Sequence, residues 1–319
     1  MKDVSIILPT KTGARYLDGV LKAIFNQRTS RRFEVIAIDS GSKDETVEIL
    51  RRFPVRLEEI APESFNHGGT RNFGASLAEG EFLVFLSQDA EPADEEWLDH
   101  LVSPLEEDEE VAGAYAGHLP RPGCHPMEQR EILTWPIVSA EIGVRLVKRA
   151  VGNPDYSTNP WPYIHFPNTC SCIRRSVLAR FPFKPVNFAE DMNWAKRVLE
   201  AGYATVFIPR AAVVHSHSYP ARVQFRRCYD HASAMFELFG WRMIPSIERI
   251  IPAAVRDVEL DMAFCKGRGH SALFRLRWLA PSLAWHLAKF AGFWMGSYSD
   301  RLPVSVKKKV SLQRRLMEA

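Results

Sequence analysis

Apolar runs and helical patterns alternate along the first half of the chain. Val4–Leu8 is a continuous apolar, β-branched run that stops at Pro9, as in a buried parallel strand. Leu17–Phe25 then repeats apolar residues at helical spacing. Further strand patterns lie at 33–38, 55–60 and 81–86, and helical patterns lie at 43–53 and 70–78. This alternation predicts an α/β fold in which helices flank a largely parallel sheet.

The second half is irregular at first and then helical. Residues 118–168 are rich in proline, and we predict a helix within 128–150. Order resumes at 169–181, and a helix at 192–201 and a strand at 204–208 follow. Helical patterns dominate from Tyr219 onward, so we predict one domain at 1–218 and a helical C-terminal region at 219–319. The aromatic loop at 160–163 fits an acceptor pocket or packing beneath a long loop equally well.

Polar residues follow three of the predicted strands. They are Thr10, preceded by Pro9, after the first strand, Asp39 after the second, and Asp89 after the fourth. In sheets of this kind, ligands bind beyond the carboxyl ends of the strands. Turn chemistry alone explains an aspartate or a serine at any one strand end. The coincidence at three strands favours a single site.

Composition restricts the class of protein further. The chain has 319 residues, of which 46% are hydrophobic and 25% are charged, and its net charge of +3 gives no indication of nucleic-acid binding. Its five cysteines are scattered and odd in number, so we expect buried free thiols in a reducing cytosol and no zinc site. We expect no signal peptide at the N-terminus and no membrane-spanning helix, because no apolar run reaches about 18 residues.

Three further segments carry candidate chemistry. Residues 64–74 read SFNHGGTRNFG, in which flexible glycines accompany His67 and Arg71, side chains that hold anions. Asp191 precedes a helix, where an acid also serves a plain capping role. His215 and His217 are predicted on one side of a strand, as metal ligands or as ordinary surface or core histidines.

The C-terminal region suggests a membrane surface. Residues 272–295 are apolar and aromatic but carry scattered cations, and Pro281 predicts a kink or a break in their helix. The tail that follows is basic, with Arg301, Lys307, Lys308, Lys309, Arg314 and Arg315 against the single acid Glu318. Such a helix suits the surface of an anionic membrane. A core helix, or a helix packed in a homo-oligomer, is the alternative.

Four motifs, in this order and spacing, resemble those of a family 2 glycosyltransferase with the GT-A fold. They are VSIILPTKTGARYLDGVLKAIFNQ, FEVIAIDSGSKDETVEIL, HGGTRNFGASLAEGEFLVFLSQDAEP and NFAEDMNWAKRVLEAGY. The resemblance covers roughly residues 3–218. It implies a Rossmann-like mixed, mostly parallel sheet that forms a nucleotide-sugar-binding catalytic domain. IDSGSKDET, FNHGGTRN and LSQDA are most similar to the bacterial rhamnosyltransferases, whose donor is usually dTDP-L-rhamnose.

The resemblance also implies roles for individual residues. Asp191 matches the catalytic base, with Glu190 before it, and Asp89 matches the surviving carboxylate of the family's D-x-D-like motif for Mg²⁺ or Mn²⁺. Gln88 replaces the first acid of that motif, and Ser40 replaces a second aspartate after Asp39. The predicted donor-binding residues are Pro9, Thr10, Asp39, Ser40, His67, Arg71, Asn72 and Gln88, and the predicted metal ligands are Asp89, His215 and His217.

Transfer chemistry agrees with these roles. A sugar hydroxyl is a poor nucleophile, so a carboxylate must take its proton, and attack opposite the leaving diphosphate inverts the anomeric centre. The expected enzyme is a hexosyltransferase on the inner face of the cell membrane that acts on a cell-envelope glycan or a lipid-linked acceptor. Two alternatives stay open: another UDP- or GDP-sugar as donor, and a non-catalytic subunit that binds a nucleotide sugar or glycan. A dinucleotide enzyme is disfavoured because G-x-G-x-x-G is missing after the first strand.

Overall fold

The computed structural model describes residues 3–186 and 188–313. These residues form two compact units by their contacts: one at 3–121, 132–186 and 190–216, the other at 122–131, 188–189 and 217–313. The catalytic-domain boundary at residue 218 stays a prediction. The C-terminal residues 314–319, including Arg314, Arg315 and Glu318, lie outside the described residues, as does Asn187.

A nine-stranded mixed sheet forms the centre of the first unit. Its strands are β1 (Val4–Thr10), β2 (Phe33–Asp39), β3 (Arg56–Glu59), β4 (Phe82–Leu86), β5 (Glu91–Pro92), β6 (Val111–Leu119), β7 (Leu146–Lys148), β8 (Cys170–Arg174) and β9 (Ala204–Val214). The spatial order is β3-β2-β1-β4-β8-β6-β9-β5, and β7 pairs with β9. The first four strands in this order are parallel to one another, whereas β8 is antiparallel to both β4 and β6. The predicted α/β class is therefore confirmed.

Thirteen helices can be assigned among the described residues. They are α1 (Ala14–Phe25), α2 (Thr46–Leu50), α3 (His67–Leu77), α4 (Trp97–Glu107), α5 (Pro126–Thr134), α6 (Pro154–Thr158), α7 (Trp161–Ile164), α8 (Arg175–Arg180), α9 (Glu190–Glu200), α10 (Ala221–Phe239), α11 (Ile250–Gly267), α12 (Ala272–Ser297) and α13 (Val304–Val310). Short 3₁₀ turns cover Pro62–Ser64, Ile247–Arg249 and Ser299–Arg301.

The core of the first unit is built from the apolar patterns of these elements. β1 and β4 are almost wholly buried, and α1 turns Leu17, Val20, Leu21 and Ile24 towards them. Burial of each such side chain contributes about 1.5–3 kcal/mol. All five cysteines are buried free thiols, as predicted.

β6 escaped prediction because its sequence, VAGAYAGHL, is made mostly of small residues. The small residues are required by packing. A Cβ at Gly113 would lie 2.8 Å from the Cys172 carbonyl oxygen and 2.9 Å from the Phe166 ring. Neighbouring aromatic rings thus fill the space that larger β-formers would occupy in an ordinary strand.

The second unit is helical, as expected from Tyr219 onward. α10 and α12 pack closely because Gly292 and Gly296 on α12 have no side chain: a Cβ there would lie 2.3 Å from the carbonyl oxygens of Phe225 and Tyr229. α10 ends at Gly240, whose φ of 70° suits a left-handed cap. Within the described residues, no helix is both long enough and apolar enough to cross a bilayer.

One prediction about elements was partly confirmed and two need correction. The helix predicted within 128–150 is α5, which begins slightly earlier, at Pro126, and ends at Thr134 because the residue before Pro136 is biased away from helical geometry. The break predicted at Pro281 does not occur in α12, since this proline is exposed and the carbonyl that loses its bond can bind water; the alternative of a kink stays a prediction. His215 and His217 do not share one side of a strand, because β9 ends at Val214.

Candidate functional site

The ends of β1 and β2 are tied together by the predicted donor-binding residues. Asp39 is almost fully buried, and its carboxylate accepts bonds from the Thr10 hydroxyl (3.0 Å), the Ser42 hydroxyl and the backbone N–H groups of Gly41 and Ser42. The Ser40 hydroxyl donates to the Thr10 carbonyl oxygen at 3.0 Å. These bonds fix the backbone at the carboxyl ends of β1 and β2, where ligands bind in sheets of this kind.

Gln88 joins the ends of β4 and β1. Its Oε1 accepts from the Lys11 N–H, and its Nε2 donates to the Lys11 carbonyl oxygen, both at 2.9 Å. Only an amide can make both bonds, because a carboxylate has no hydrogen to donate. Gly13 leaves room for this side chain, since a Cβ there would lie 2.2 Å from Gln88 Oε1. Pro9, by contrast, is a residue of β1 and pairs with Ile38 of β2.

The histidine–glycine segment forms the start of α3 and is not a loop. Asn66 caps this helix, because its Oδ1 accepts from the N–H groups of Gly68 (3.1 Å) and Gly69 (2.9 Å). The glycine at 68 allows close packing against the protein's own chain, since a Cβ there would lie 2.4 Å from the Lys184 carbonyl oxygen. Asn72, another predicted donor contact, exchanges two hydrogen bonds with the Phe183 backbone.

Arg71 lies against the predicted catalytic acids. Its Nη1 is 3.1 Å from Glu190 Oε1, and both side chains are more than nine-tenths buried. The same guanidinium donates to the His67 carbonyl oxygen at 3.0 Å. The pair brings the start of α3 to the start of α9. His67 also acts on Glu190, because the positively charged form of its imidazole stabilises the ionised carboxylate and lowers its pKa.

Glu190 and Asp191 differ in their electrostatic environment. Burial acts to raise the pKa of Glu190, but Arg71, His67 and a 3.2 Å bond from the Asn168 amide outweigh it and hold this pKa below its usual range. Burial, and then the neighbouring Glu190 charge, raise the pKa of Asp191 well above that of an ordinary aspartate. Two adjacent carboxyls thus titrate far apart, which is how acid and base roles are separated in active sites.

Asn168 connects Asp191 with the end of β4. Its backbone N–H donates to Asp191 Oδ2 at 3.0 Å, and the carbonyl oxygen of the next residue, Thr169, accepts from the Ser87 N–H at 2.9 Å. Ser87 stands two residues before Asp89. Both predicted acids therefore lie at the edge of the sheet where β4 ends and β8 begins. That they face one cavity stays a prediction.

Asp89 and His215 form a pair that suits a divalent cation. Their Oδ1 and Nε2 atoms are 3.6 Å apart, and both side chains are largely buried. One carboxylate and one imidazole leave most of the coordination shell to water and phosphate, which is how proteins usually hold Mg²⁺, and carboxylate and phosphate oxygens also suit Mn²⁺. His217 belongs to the second unit, where its ring stacks on Tyr219 at 4.8 Å and its backbone N–H donates to Glu128 Oε1 at 2.7 Å.

Arg121 is a candidate that sequence reasoning missed. Its guanidinium lies 4.0 Å from the centre of the Tyr16 ring, donates to the Asp89 carbonyl oxygen and approaches Glu91 at 3.8 Å. This places a fixed positive charge beside the predicted metal ligand. Neither Arg121 nor Asn168 stands in a motif, so only the pairing of β6 and β8 with their neighbours could have revealed them.

Comparison with known proteins agrees with this geometry. The family model described as "Glycosyl transferase family 2" matches residues 5–178. The O-antigen chain rhamnosyltransferase WbaN of Salmonella anatum is 29% identical over 98% of this chain and 95% of its own length. The O-antigen chain rhamnosyltransferase RfbN of Salmonella typhimurium is also 29% identical, with the same coverage.

Among solved structures, the mannosyltransferase PcManGT from Pyrobaculum calidifontis, in complex with GDP-Man and Mn²⁺, has a TM-score of 0.58 and 17% identity. The match covers 94% of this chain and 88% of that one. TarS residues 1–349 from S. aureus give a TM-score of 0.51 at 15% identity. At these identities the structures support the fold alone, and they confirm the expected GT-A architecture.

Proposed function

The chain belongs to glycosyl transferase family 2, and from this premise we propose that it is an inverting, metal-dependent enzyme that transfers L-rhamnose from dTDP-L-rhamnose. The acceptor is a hydroxyl of a cell-envelope polysaccharide or of a lipid-linked glycan at the inner face of the membrane. The likeness over nearly the whole chain to two rhamnosyltransferases of O-antigen synthesis supports the sugar and the acceptor class. The carboxylate pair at the start of α9 carries the chemistry.

Asp191 is the proposed general base. The upward shift of its pKa suits a group that must accept a proton from a sugar hydroxyl near neutral pH. The Asn168 N–H orients the carboxylate, and the Glu190–Arg71 pair fixes the start of α9. Asp191 takes the hydroxyl proton as the acceptor oxygen bonds to the anomeric carbon and the bond to the diphosphate breaks.

Asp89 and His215 are the proposed residues that hold Mn²⁺ or Mg²⁺, and the metal-ligand role of His217 stays a prediction from the sequence. The bound cation would neutralise charge on the leaving diphosphate. Arg121 lies beside Asp89 and adds a positive charge in the same region. The Mn²⁺ and GDP-Man in the P. calidifontis structure support a cation-assisted donor site of this kind.

One assay tests the donor and the catalytic role together. Purified protein with Mn²⁺ should release dTDP slowly from dTDP-L-rhamnose, and release from UDP- and GDP-sugars should be weaker. Asp191→Asn should reduce turnover by about 10²–10⁴-fold, the usual contribution of a general base, while donor binding survives. Glu200→Gln, on the same helix, is the control and should stay near wild type. Full activity of Asp191→Asn would remove this residue from the mechanism.

A non-catalytic nucleotide-sugar-binding subunit is the rival function. Such a subunit would show a donor-dependent increase in melting temperature with no dTDP release under any metal or acceptor tested. If no nucleotide sugar shifts the melting temperature and none is turned over, both functions fail.

A further inference from the structure

The first half of α12 presents a row of exposed leucines. Leu273, Leu276, Leu279 and Leu283 are 76%, 68%, 43% and 38% exposed. At about 100° per residue they fall within one third of the helix circumference. We name these four side chains the leucine ridge. Leucine side chains of a helix in water normally face the core, so a row of solvent-exposed leucines indicates a binding surface for a protein or a membrane.

The side of α12 next to the leucine ridge is held inward by a buried polar network. Asp261 of α11, which is fully buried, accepts from Ser282 (2.6 Å) and contacts His286 Nε2 (2.8 Å) on α12. Arg130 pairs with the same carboxylate, and Lys289 binds Asp257 at 2.9 Å. Rotation of α12 to bury its leucines would leave these charges without partners, so the outward position of the ridge is fixed.

The charges around the ridge indicate what covers it. From Met262 to Ser299 the sequence contains no Asp or Glu, yet it contains Lys266, Arg268, Arg275, Arg277 and Lys289. Lys266, Arg268 and Arg277 are exposed and stand just before or within the ridge. A leucine row whose own segment of the sequence carries cations and no acid complements the surface of an anionic bilayer, where lipid phosphates lie above the acyl chains.

We propose that the leucine ridge binds the headgroup–acyl boundary of an anionic lipid bilayer, with the exposed cations at the lipid phosphates. No described helix suits a crossing, so α12 would lie along the surface. The inference rests on the proposed function only in that a membrane-borne acceptor gives the surface its use. Lipid binding requires neither donor nor catalysis, so the two can fail separately.

Vesicle flotation of the full chain tests the proposal. Wild-type protein should float with phosphatidylcholine vesicles that contain phosphatidylglycerol, less with phosphatidylcholine alone, and less at high salt. The double variant Leu276→Gln/Leu283→Gln should lower the partition coefficient by about tenfold or more, because each leucine loses most of its transfer free energy. The control Ile142→Gln/Val144→Gln changes two comparably exposed residues of the first unit and should bind as wild type does.

Three results would overturn the proposal. They are absence of wild-type binding to the anionic vesicles, equal binding by the ridge variant, and a wild-type dimer that the ridge variant dissociates, since a second copy would then cover the leucines. The rate of dTDP release without acceptor should be equal in wild type and ridge variant. A lower rate in the ridge variant would show that the substitutions disturb the enzyme itself, and it would also count against a surface role.

Discussion

Removal of Arg71 should destabilise the protein far more than removal of an exposed arginine. The Arg71–Glu190 pair is 3.1 Å long and more than nine-tenths buried at both ends. Loss of one partner from a buried pair costs about 3–5 kcal/mol, because the other charge stays buried and unpaired. Arg71→Met keeps most of the aliphatic side chain and removes the charge. We therefore expect a loss of about 3 kcal/mol in the free energy of unfolding near neutral pH.

Two further variants isolate the charge effect. In Arg71→Met/Glu190→Gln no charge is stranded, so the double variant should be more stable than Arg71→Met by about 1–2 kcal/mol. Arg145→Met is the matched control: its contact with Glu107 is shorter, at 2.7 Å, but both side chains are about half exposed. An exposed pair of this kind contributes under about 1 kcal/mol. Urea unfolding followed by tryptophan fluorescence measures all three losses.

The loss caused by Arg71→Met should also depend on pH. In the wild type the pKa of Glu190 is held low, so its contribution to stability is present above the unfolded pKa and disappears as pH falls. In the variant the buried Glu190 carboxyl has lost the guanidinium that most opposes the effect of burial, so its pKa rises and the variant loses stability as pH rises. The difference between the two should therefore be larger at about pH 7.5 than at about pH 5. An equal loss at both pH values, or one no larger than in Arg145→Met, would refute this account of the pair.

Two other predictions follow from packing and from burial. Gly68→Ala should destabilise by about 1–3 kcal/mol, because its Cβ would meet the Lys184 carbonyl oxygen, whereas Gly69→Ala meets nothing closer than 3.6 Å and should be neutral or stabilising in thermal unfolding. Lys148 is buried, which lowers its pKa to about 7, so the unfolded chain binds more protons between about pH 7 and 10. The stability of the wild type relative to Lys148→Met should therefore rise with pH across this window, because the buried cysteines, whose pKa values burial raises, affect both proteins equally; parallel pH profiles of the two proteins would contradict the assignment.

Strand positions were predictable from the sequence where burial produces continuous apolar runs. β1, β2 and β4 begin and end within two residues of their patterns, because a strand covered on both faces is mostly apolar, and Ser5 and Glu34, which bind each other, are rare interruptions. β6 was missed because its small residues carry no such pattern. Because the ends of β2 and β4 were predicted closely, Asp39 and Asp89 were also predicted at or just beyond strand ends.

The partners of the site residues were not predictable. Gln88 binds Lys11 across 77 residues of sequence, and Arg71 meets Glu190 only because α3 and α9 pack together. Sequence patterns report the periodicity of one element, and they contain no information on which side chains from distant elements meet. The sequence therefore predicted a donor-binding role for His67 and Arg71, which stays a prediction, but it gave no indication that Arg71 contacts Glu190.

The structure changes the meaning of the two departures from the family's acidic pattern. Ser40 is fully buried, and its hydroxyl donates to the Thr10 carbonyl oxygen. An ionised aspartate at this position has no hydrogen to donate, so it could not make this bond. Gln88 makes a donor bond and an acceptor bond to Lys11, and an aspartate could make only one. Both substitutions therefore hold the strand ends together. Because these hydrogen bonds explain Ser40 and Gln88, neither residue supports the hypothesis of a non-catalytic subunit. The proposed activity therefore depends on Asp89 and Asp191.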